Sequence, residues 1–197
     1  MNLQKEKIIV ITAPSGAGKT TITKYLMQVL PILSFSVSAT TRAKRKNETE
    51  GKDYYFITRA DFEKKIEEKK FLEWEMVYEG TYYGTLTSEI EKIWQKHQIP
   101  LLDIDVQGAL HVKHLFPEQT MVIFIAPPNV DVLKERLIGR GTDSHASIEK
   151  RIHKATEELQ YRNSFDKTVL NDHLEKACKE AAEIITVFLQ NESFPIK

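Results

Sequence analysis

The stretch Ile8–Lys24, IIVITAPSGAGKTTITK, constrains the fold more than any other. Ile8 to Thr12 are apolar or β-branched without interruption. Such a run suits a strand buried on both faces of a parallel sheet. Ala13 to Thr20 then have the spacing A-x-x-x-x-G-K-T of a phosphate-cradling loop, and a helix-like stretch follows. Gly16 and Gly18 allow close backbone approach to an anion and accept φ > 0 at no steric cost. The N–H groups of the two glycines, Lys19 and Thr20 can point at phosphate oxygens, with help from the positive end of the helix. Lys19 is placed to reach β- and γ-phosphates, and the Thr20 hydroxyl to ligate magnesium. Ala13 stands where such loops usually carry glycine, which works if its φ stays negative. The bland alternative is a strand-to-helix turn that binds nothing.

At 197 residues the chain is expected to be one domain, or one with small inserts. Net charge is zero, so no global field favours nucleic acid or a membrane. Cys178 is the single cysteine, which excludes an intramolecular disulfide and a Cys-rich zinc site. No apolar run approaches the length of a membrane span, so a soluble cytoplasmic protein is expected. His111 and His114 read as surface residues.

Three apolar strands are expected, at Ile8–Thr12, Ile99–Asp105 and Met121–Ala126, with short ones at Phe35–Ser38 and Thr168–Leu170. Helical spacing predicts helices over Lys19–Leu30, Gln107–Phe116, Ser147–Asn163 and His173–Gln190. Thr58 and Asn129 read as helix caps, and Thr87 or Ser88 as a third. Strands alternating with helices argue an α/β fold with a parallel sheet covered on both faces. The stretch Ser38–Thr85 is β-rich and interrupts that pattern. It reads as an insert facing the carboxyl ends of the strands, where ligands bind in such folds.

Chemistry concentrates in three places. Asp103 ends an apolar strand and could hold the water shell of magnesium beside Thr20. Asp105, two residues on, is expected to share its face; the bland reading of either is an ordinary cap. Arg42 to Lys46 hold four cations in five residues. Alone they read as a solvated loop; beside a triphosphate site, Arg42 and Arg45 could fork onto a second phosphate. Tyr54 and Tyr83 could bond the same group, or be plain rim aromatics. Arg136 and Arg140 lie one helical turn apart, where like charges repel by about 0.2–0.5 kcal/mol, so an anion between them is a natural partner. Arg151 follows a loop bracketed by Gly139 and Gly141 that looks like a hinged lid. Arginines closing over a transferring phosphoryl group contribute roughly 10³–10⁵ in rate. The alternative is solvated helix charges paired with Glu135, Glu149 or Glu157.

Seven motifs in order, PSGAGKT, FSVSATTRAKRKNETEGKDYYF, FLEW, YYGT, LLDIDVQG, FIAPP and RLIGRGT, together resemble the guanylate kinase family over nearly the whole chain. The resemblance implies a three-layer P-loop fold with core segments 1–37, 86–136 and 152–197, a GMP-binding insert 38–85 and a lid 137–151. It implies the reaction of ATP with GMP or dGMP, with Mg2+, in a monomer or small homo-oligomer. Under it, Ala13, Pro14, Ser15, Gly16, Ala17, Gly18, Lys19, Thr20, Thr21, Arg136, Arg140 and Asn171 hold ATP. Arg42, Arg45, Tyr54 and Tyr83 hold the GMP phosphate, and Glu48 and Arg151 belong to the same GMP-binding set. Ser38, Glu73, Thr85 and Asp105 face guanine, and Thr20 and Asp103 the metal. Lys19, Arg42, Arg140 and Arg151 match the residues that act on the transferring group. The segment Glu75–Thr81 looks one residue longer than the family's. Two other readings stand beside this one: a scaffold-type binding module of similar fold, and a P-loop kinase for another acceptor.

Overall fold

The first strand decides the architecture. In a computed structural model describing residues 6–139 and 145–190, β1 (Ile8–Thr12) is buried at every position. Its residues alternate between two cores. Ile9 and Ile11 pack with Ile22 and Leu26 of α1 (Lys19–Val29) and with Ala177, Ala181 and Ile185 of α7 (Leu174–Gln190). Ile8 and Val10 pack on the other face with Ile90 of α3 (Thr87–Gln95) and Ala109 and Val112 of α4 (Val106–Leu115). Each such burial is worth about 1.5–3 kcal/mol, so a polar residue at any position from Ile8 to Ile11 would damage one core or the other. Cys178 is buried in the α7 layer.

The five-stranded sheet has β1 at its centre. On one side lie β7 (Ile99–Asp103) and then β2 (Leu33–Phe35). On the other lie β8 (Thr120–Ala126) and then β9 (Lys167–Leu170). Every pairing in this sheet is parallel. The chain leaves β1 toward β2 on one side and later crosses from β7 to β8 on the other. A crevice therefore opens at the carboxyl end of β1, the place where open α/β sheets bind ligands.

A second, four-stranded sheet stands over that crevice. Its order is β4 (Tyr55–Phe56), β3 (Ala39–Thr40), β6 (Thr81–Leu86) and β5 (Phe71–Tyr78). The helix α2 (Arg59–Glu67) packs on it through Phe62, which stacks on Phe71 at 4.3 Å. Thr58 caps α2 by accepting from the Asp61 N–H, as its sequence position predicts. Asn129 likewise caps α5 (Val130–Gly139) through the Val132 N–H. The remaining helix, α6 (His145–Leu159), runs into a 3-10 turn over Gln160–Ser164.

Three expectations change. The strand at Phe35–Ser38 is instead β2, ending at Phe35; Ser36 to Ser38 then carry the chain across to the second sheet. The strand at Ile99–Asp105 stops at Asp103, because Asp105 turns out to cap α4, accepting from the Gly108 N–H at 2.9 Å. Asp103 and Asp105 therefore do not share a strand face. The helix after β6 has Leu86 at its cap and no side-chain cap bond, so neither Thr87 nor Ser88 serves there. The long segment Glu75–Thr81 has a physical counterpart. The β5–β6 register passes from Met76↔Tyr82 to Tyr78↔Thr81, so Val77 is absorbed as a bulge. Glu73↔Thr85 and Glu75↔Tyr83 keep their pairing.

Candidate functional site

A cleft of about 660 Å³ lies between the β1–α1 loop, the end of β7, α6 and the second sheet. At its floor the loop takes the shape its residues allow. Gly16 and Gly18 have φ of 92° and 100°, a region that side chains resist. Ala13 is absent from the positive-φ residues, so its Cβ does no harm. The loop is fastened from behind. The Ala17 carbonyl accepts from Asn171 Nδ2 at 2.7 Å and from Arg136 Nη1 at 3.4 Å. Arg136 Nη2 donates in turn to the Asn171 carbonyl at 3.0 Å. A β-carbon on Gly18 would lie 2.3 Å from Asn171 Nδ2. Gly16, Gly18, Thr21, Arg136, Asn171 and Leu174 line a second hollow of about 280 Å³ beside the loop. Arg136 thus meets backbone carbonyls; Arg140 and Gly141 lie outside the described residues.

In front, Arg151 of α6 donates through Nε and Nη2 to Ser15 Oγ at 3.0 and 2.5 Å. The Lys19 ammonium pairs with Asp103 and donates to the Ile104 carbonyl at 3.1 Å. Burial is the largest single influence and pulls its pKa down, but the charge and hydrogen bond of Asp103, with Tyr54 and the Asp105 charge, together outweigh that and leave it raised. Asp103 stands there because β7 runs beside β1 with Ile11 paired to Asp103. Thr20 and Asp103 both line the cleft. Among the described residues no group of three His, Cys, Asp or Glu could hold a metal ion. One hydroxyl and one carboxylate do suit Mg2+, which keeps waters and takes its remaining ligands from phosphate. The cation already on Asp103 shows that this carboxylate accepts positive charge beside the loop.

The second sheet carries the opposite wall. Arg42 lies over the rings of Tyr54 and Phe56, at 5.0 and 5.6 Å from their centres. Its Nε donates to the Tyr83 hydroxyl at 3.0 Å. Its two Nη atoms fork onto the Glu48 carboxylate at 2.7 and 2.5 Å. Those bonds hold Glu48 below the usual carboxylate range and raise Arg42 further. Glu48 also accepts from the Arg45 N–H at 2.9 Å, while the Arg45 guanidinium is largely exposed. Tyr54 and Tyr83 meet edge to face at 5.8 Å.

Deeper in, Glu73 is only 4% exposed. Its Oε1 has no hydrogen-bond partner, and neither has the hydroxyl of the facing Thr85. Burial pushes the Glu73 carboxyl up to about 7; the Asp105 charge adds to this, and the polar groups of Thr85 oppose it. Ser38 is also buried on this wall. The cleft thus has a phosphate-type loop at one end and a buried acid at the other.

The sequence model described as guanylate kinase matches residues 5–187. The chain belongs to the guanylate kinase family. It is 45% identical over 183 residues to a guanylate kinase of Chlorobium chlorochromatii, covering 93% of this chain and 96% of that protein. A guanylate kinase of Salinibacter ruber is 44% identical over 184 residues, covering 93% and 97%. Among solved structures, a guanylate kinase from Anaplasma phagocytophilum superposes with a TM-score of 0.78 at 30% identity, over 94% of this chain and 87% of that one. The parallel sheet between helix layers is thus the family's P-loop architecture.

In this guanylate kinase family member, sequence reasoning overlooked three cleft residues. Lys154 of α6 reaches Asp105 Oδ2 at 3.6 Å, Glu158 Oε1 at 3.7 Å and the Val77 carbonyl at 3.5 Å. Its ammonium also lies 5.4 Å from the centre of the Tyr78 ring, so one cation ties α6 to the second sheet at the bulge. Glu158, 8% exposed, is pushed up to about 7 by burial; Lys154 opposes this and Asp105 assists it. Glu75 is the third, raised by burial and by Asp105. Arg151, Lys154 and Glu158 are spaced i, i+3, i+7, a pattern that puts three charges on one helix face and could have flagged them. His111 and His114 are exposed.

Proposed function

We propose that this chain transfers the γ-phosphoryl group of ATP to the phosphate of GMP or dGMP. A GMP phosphate oxygen bonds to the γ-phosphorus as the bond to the β-phosphate oxygen breaks, giving ADP and GDP or dGDP. The carrying observation is the buried Glu73 oxygen without a partner, on the same cleft as the Lys19 loop. Guanine offers an N1–H and an amino group, both donors, which one carboxylate can accept together. Adenine has no N1–H and would leave the acid unsatisfied, at a cost of about 1–3 kcal/mol or more. Thr85, Ser38 and Asp105 supply further polar edges around the base.

Phosphoryl transfer asks for positioning and charge neutralisation rather than a protein nucleophile. The loop from Ala13 to Thr21 and Lys19 hold the triphosphate. Asn171 and Arg136 brace the loop beside the hollow that takes the adenosine end. Arg42, Tyr54, Tyr83 and Arg45 hold the acceptor phosphate, with Glu48 acting through Arg42, which it orients. Arg151 sits on Ser15 at the loop and, with Arg140, would neutralise charge on the transferring group. Thr20 and Asp103 would hold Mg2+, which when bound neutralises phosphate charge. A cytoplasmic monomer or small homo-oligomer acting on free nucleotides belongs to the same proposal; among the described residues no helix is long and apolar enough to cross a membrane.

A coupled assay of ADP release with GMP, AMP, UMP and CMP tests the reading. Turnover restricted to GMP and dGMP supports it. Turnover of another acceptor would assign the cleft to a different base, and turnover of none would point to a binding module.

A further inference from the structure

We propose that Gly108 is a positioning residue for base recognition: its missing side chain makes the space in which the Glu73 carboxylate stands. The inference rests on the reading of Glu73 as the guanine acceptor. Gly108 is the third residue of α4 and is buried. A glycine inside a helix is less favourable there than alanine, so its presence needs a cause. Backbone conformation is not the cause, because Gly108 is absent from the positive-φ residues. Its N–H bond to Asp105 Oδ1 is not the cause either, since any residue but proline has that N–H.

Packing supplies the cause. A β-carbon on Gly108 would fall 2.6 Å from Glu73 Oε2, 3.2 Å from Glu73 Cδ and 3.4 Å from Asp105 Oδ1. The first distance is inside any tolerable carbon–oxygen contact. The obstacle is the end of a side chain and not backbone, so the carboxylate gives way and the helix stays. Glu73 is almost fully enclosed, and its Cα is fixed in β5 opposite Thr85. The displaced carboxylate has to swing away from its present place, and the base loses its partner. The last turn before the clash comes from the Asp105 cap, which sets where α4 begins and so where Gly108 faces β5.

The test uses full-length wild type, Gly108→Ala, Glu73→Asp and the double variant, each assayed for KM and kcat with GMP and with ATP. A misplacement near 1 Å costs about 10²-fold. The expected loss in kcat/KM for GMP in Gly108→Ala is therefore about 10- to 100-fold, with KM for ATP within about twofold of wild type. Aspartate is one methylene shorter and withdraws from the new β-carbon. In the Glu73→Asp background, adding Gly108→Ala should then cost less than about threefold. Equal loss in both backgrounds, parallel loss for ATP and GMP, or no loss at all would each overturn the proposal. Glu73→Asp with wild-type kcat/KM for GMP would instead overturn the underlying reading of Glu73, so that single variant tells the two failures apart.

Discussion

Acidification should weaken GMP binding through one buried carboxylate. Glu73 sits in ligand-free protein with its pKa near 7, because burial disfavours its charge. Guanine needs that carboxylate ionised, since only then can it accept two N–H groups. At pH 8 about ten in eleven molecules carry the charge; at pH 6 about one in eleven do, from the Henderson relation for a pKa of about 7. The GMP dissociation constant should therefore rise about tenfold between pH 8 and pH 6, or roughly 1.4 kcal/mol. The GMP phosphate itself titrates near pH 6, so the comparison is with Glu73→Gln, which keeps the phosphate term and loses the acid. Titration calorimetry at pH 6 in two buffers of different ionisation enthalpy reads the proton directly. Wild type should release close to one proton more per GMP bound than Glu73→Gln does. Glu158 has a similar pKa on the same cleft. Glu158→Gln should leave the GMP pH dependence in place if Glu73 is the group responsible. Equal pH slopes for wild type and Glu73→Gln would exclude Glu73 as the titrating group.

Three further outcomes are expected. Ligand-free protein should lose stability as pH rises from about 4.5 to 7: folded Glu73 and Glu158 keep protons that the unfolded chain gives up, so the stabilising difference is full below the unfolded pKa and gone above the folded one. Melting curves at pH 5.5 and 8 should show that fall shrinking in Glu73→Gln and in Glu158→Gln. Lys19→Ala should lower kcat by about 10²–10³-fold, the usual cost of losing one donor to a charged transition state, while circular dichroism shows the fold intact. Gly18→Ala should raise KM for ATP far more than KM for GMP, since it strains a φ of 100° and drives a β-carbon against Asn171, which holds the loop; equal effects on both substrates in steady-state assays would contradict that placement.

Local chemistry made the loop and the sheet legible. An unbroken apolar strand has to be covered on both faces, and glycines followed by Lys-Thr leave few options for the turn after it, so Ile8–Lys24 predicts its own surroundings. The Thr58 and Asn129 caps are equally local, since each bond spans three residues. Asp105 is ambiguous in the sequence, because a strand end and a helix cap both favour aspartate, and only the position of α4 decides for the cap. Lys154 and Glu158 are hidden in the sequence for a related reason. On a helix surface an i, i+4 Lys–Glu pair reads as solvated charge, and nothing in the residues says that β5 and Asp105 close over it.

Neighbours along the chain are enough to specify a parallel sheet with a phosphate loop at its centre, because they set strand burial and loop conformation. Tertiary structure alone decided which acid is buried, which arginine meets a carbonyl and which glycine is a space for another side chain. Glu73 and Gly108 lie thirty-five positions apart, and their contact exists only once β5 and α4 are packed. Burial then changes the chemistry of the carboxylate itself, since desolvation acts on a charge according to what surrounds it in space and not what precedes it in the chain.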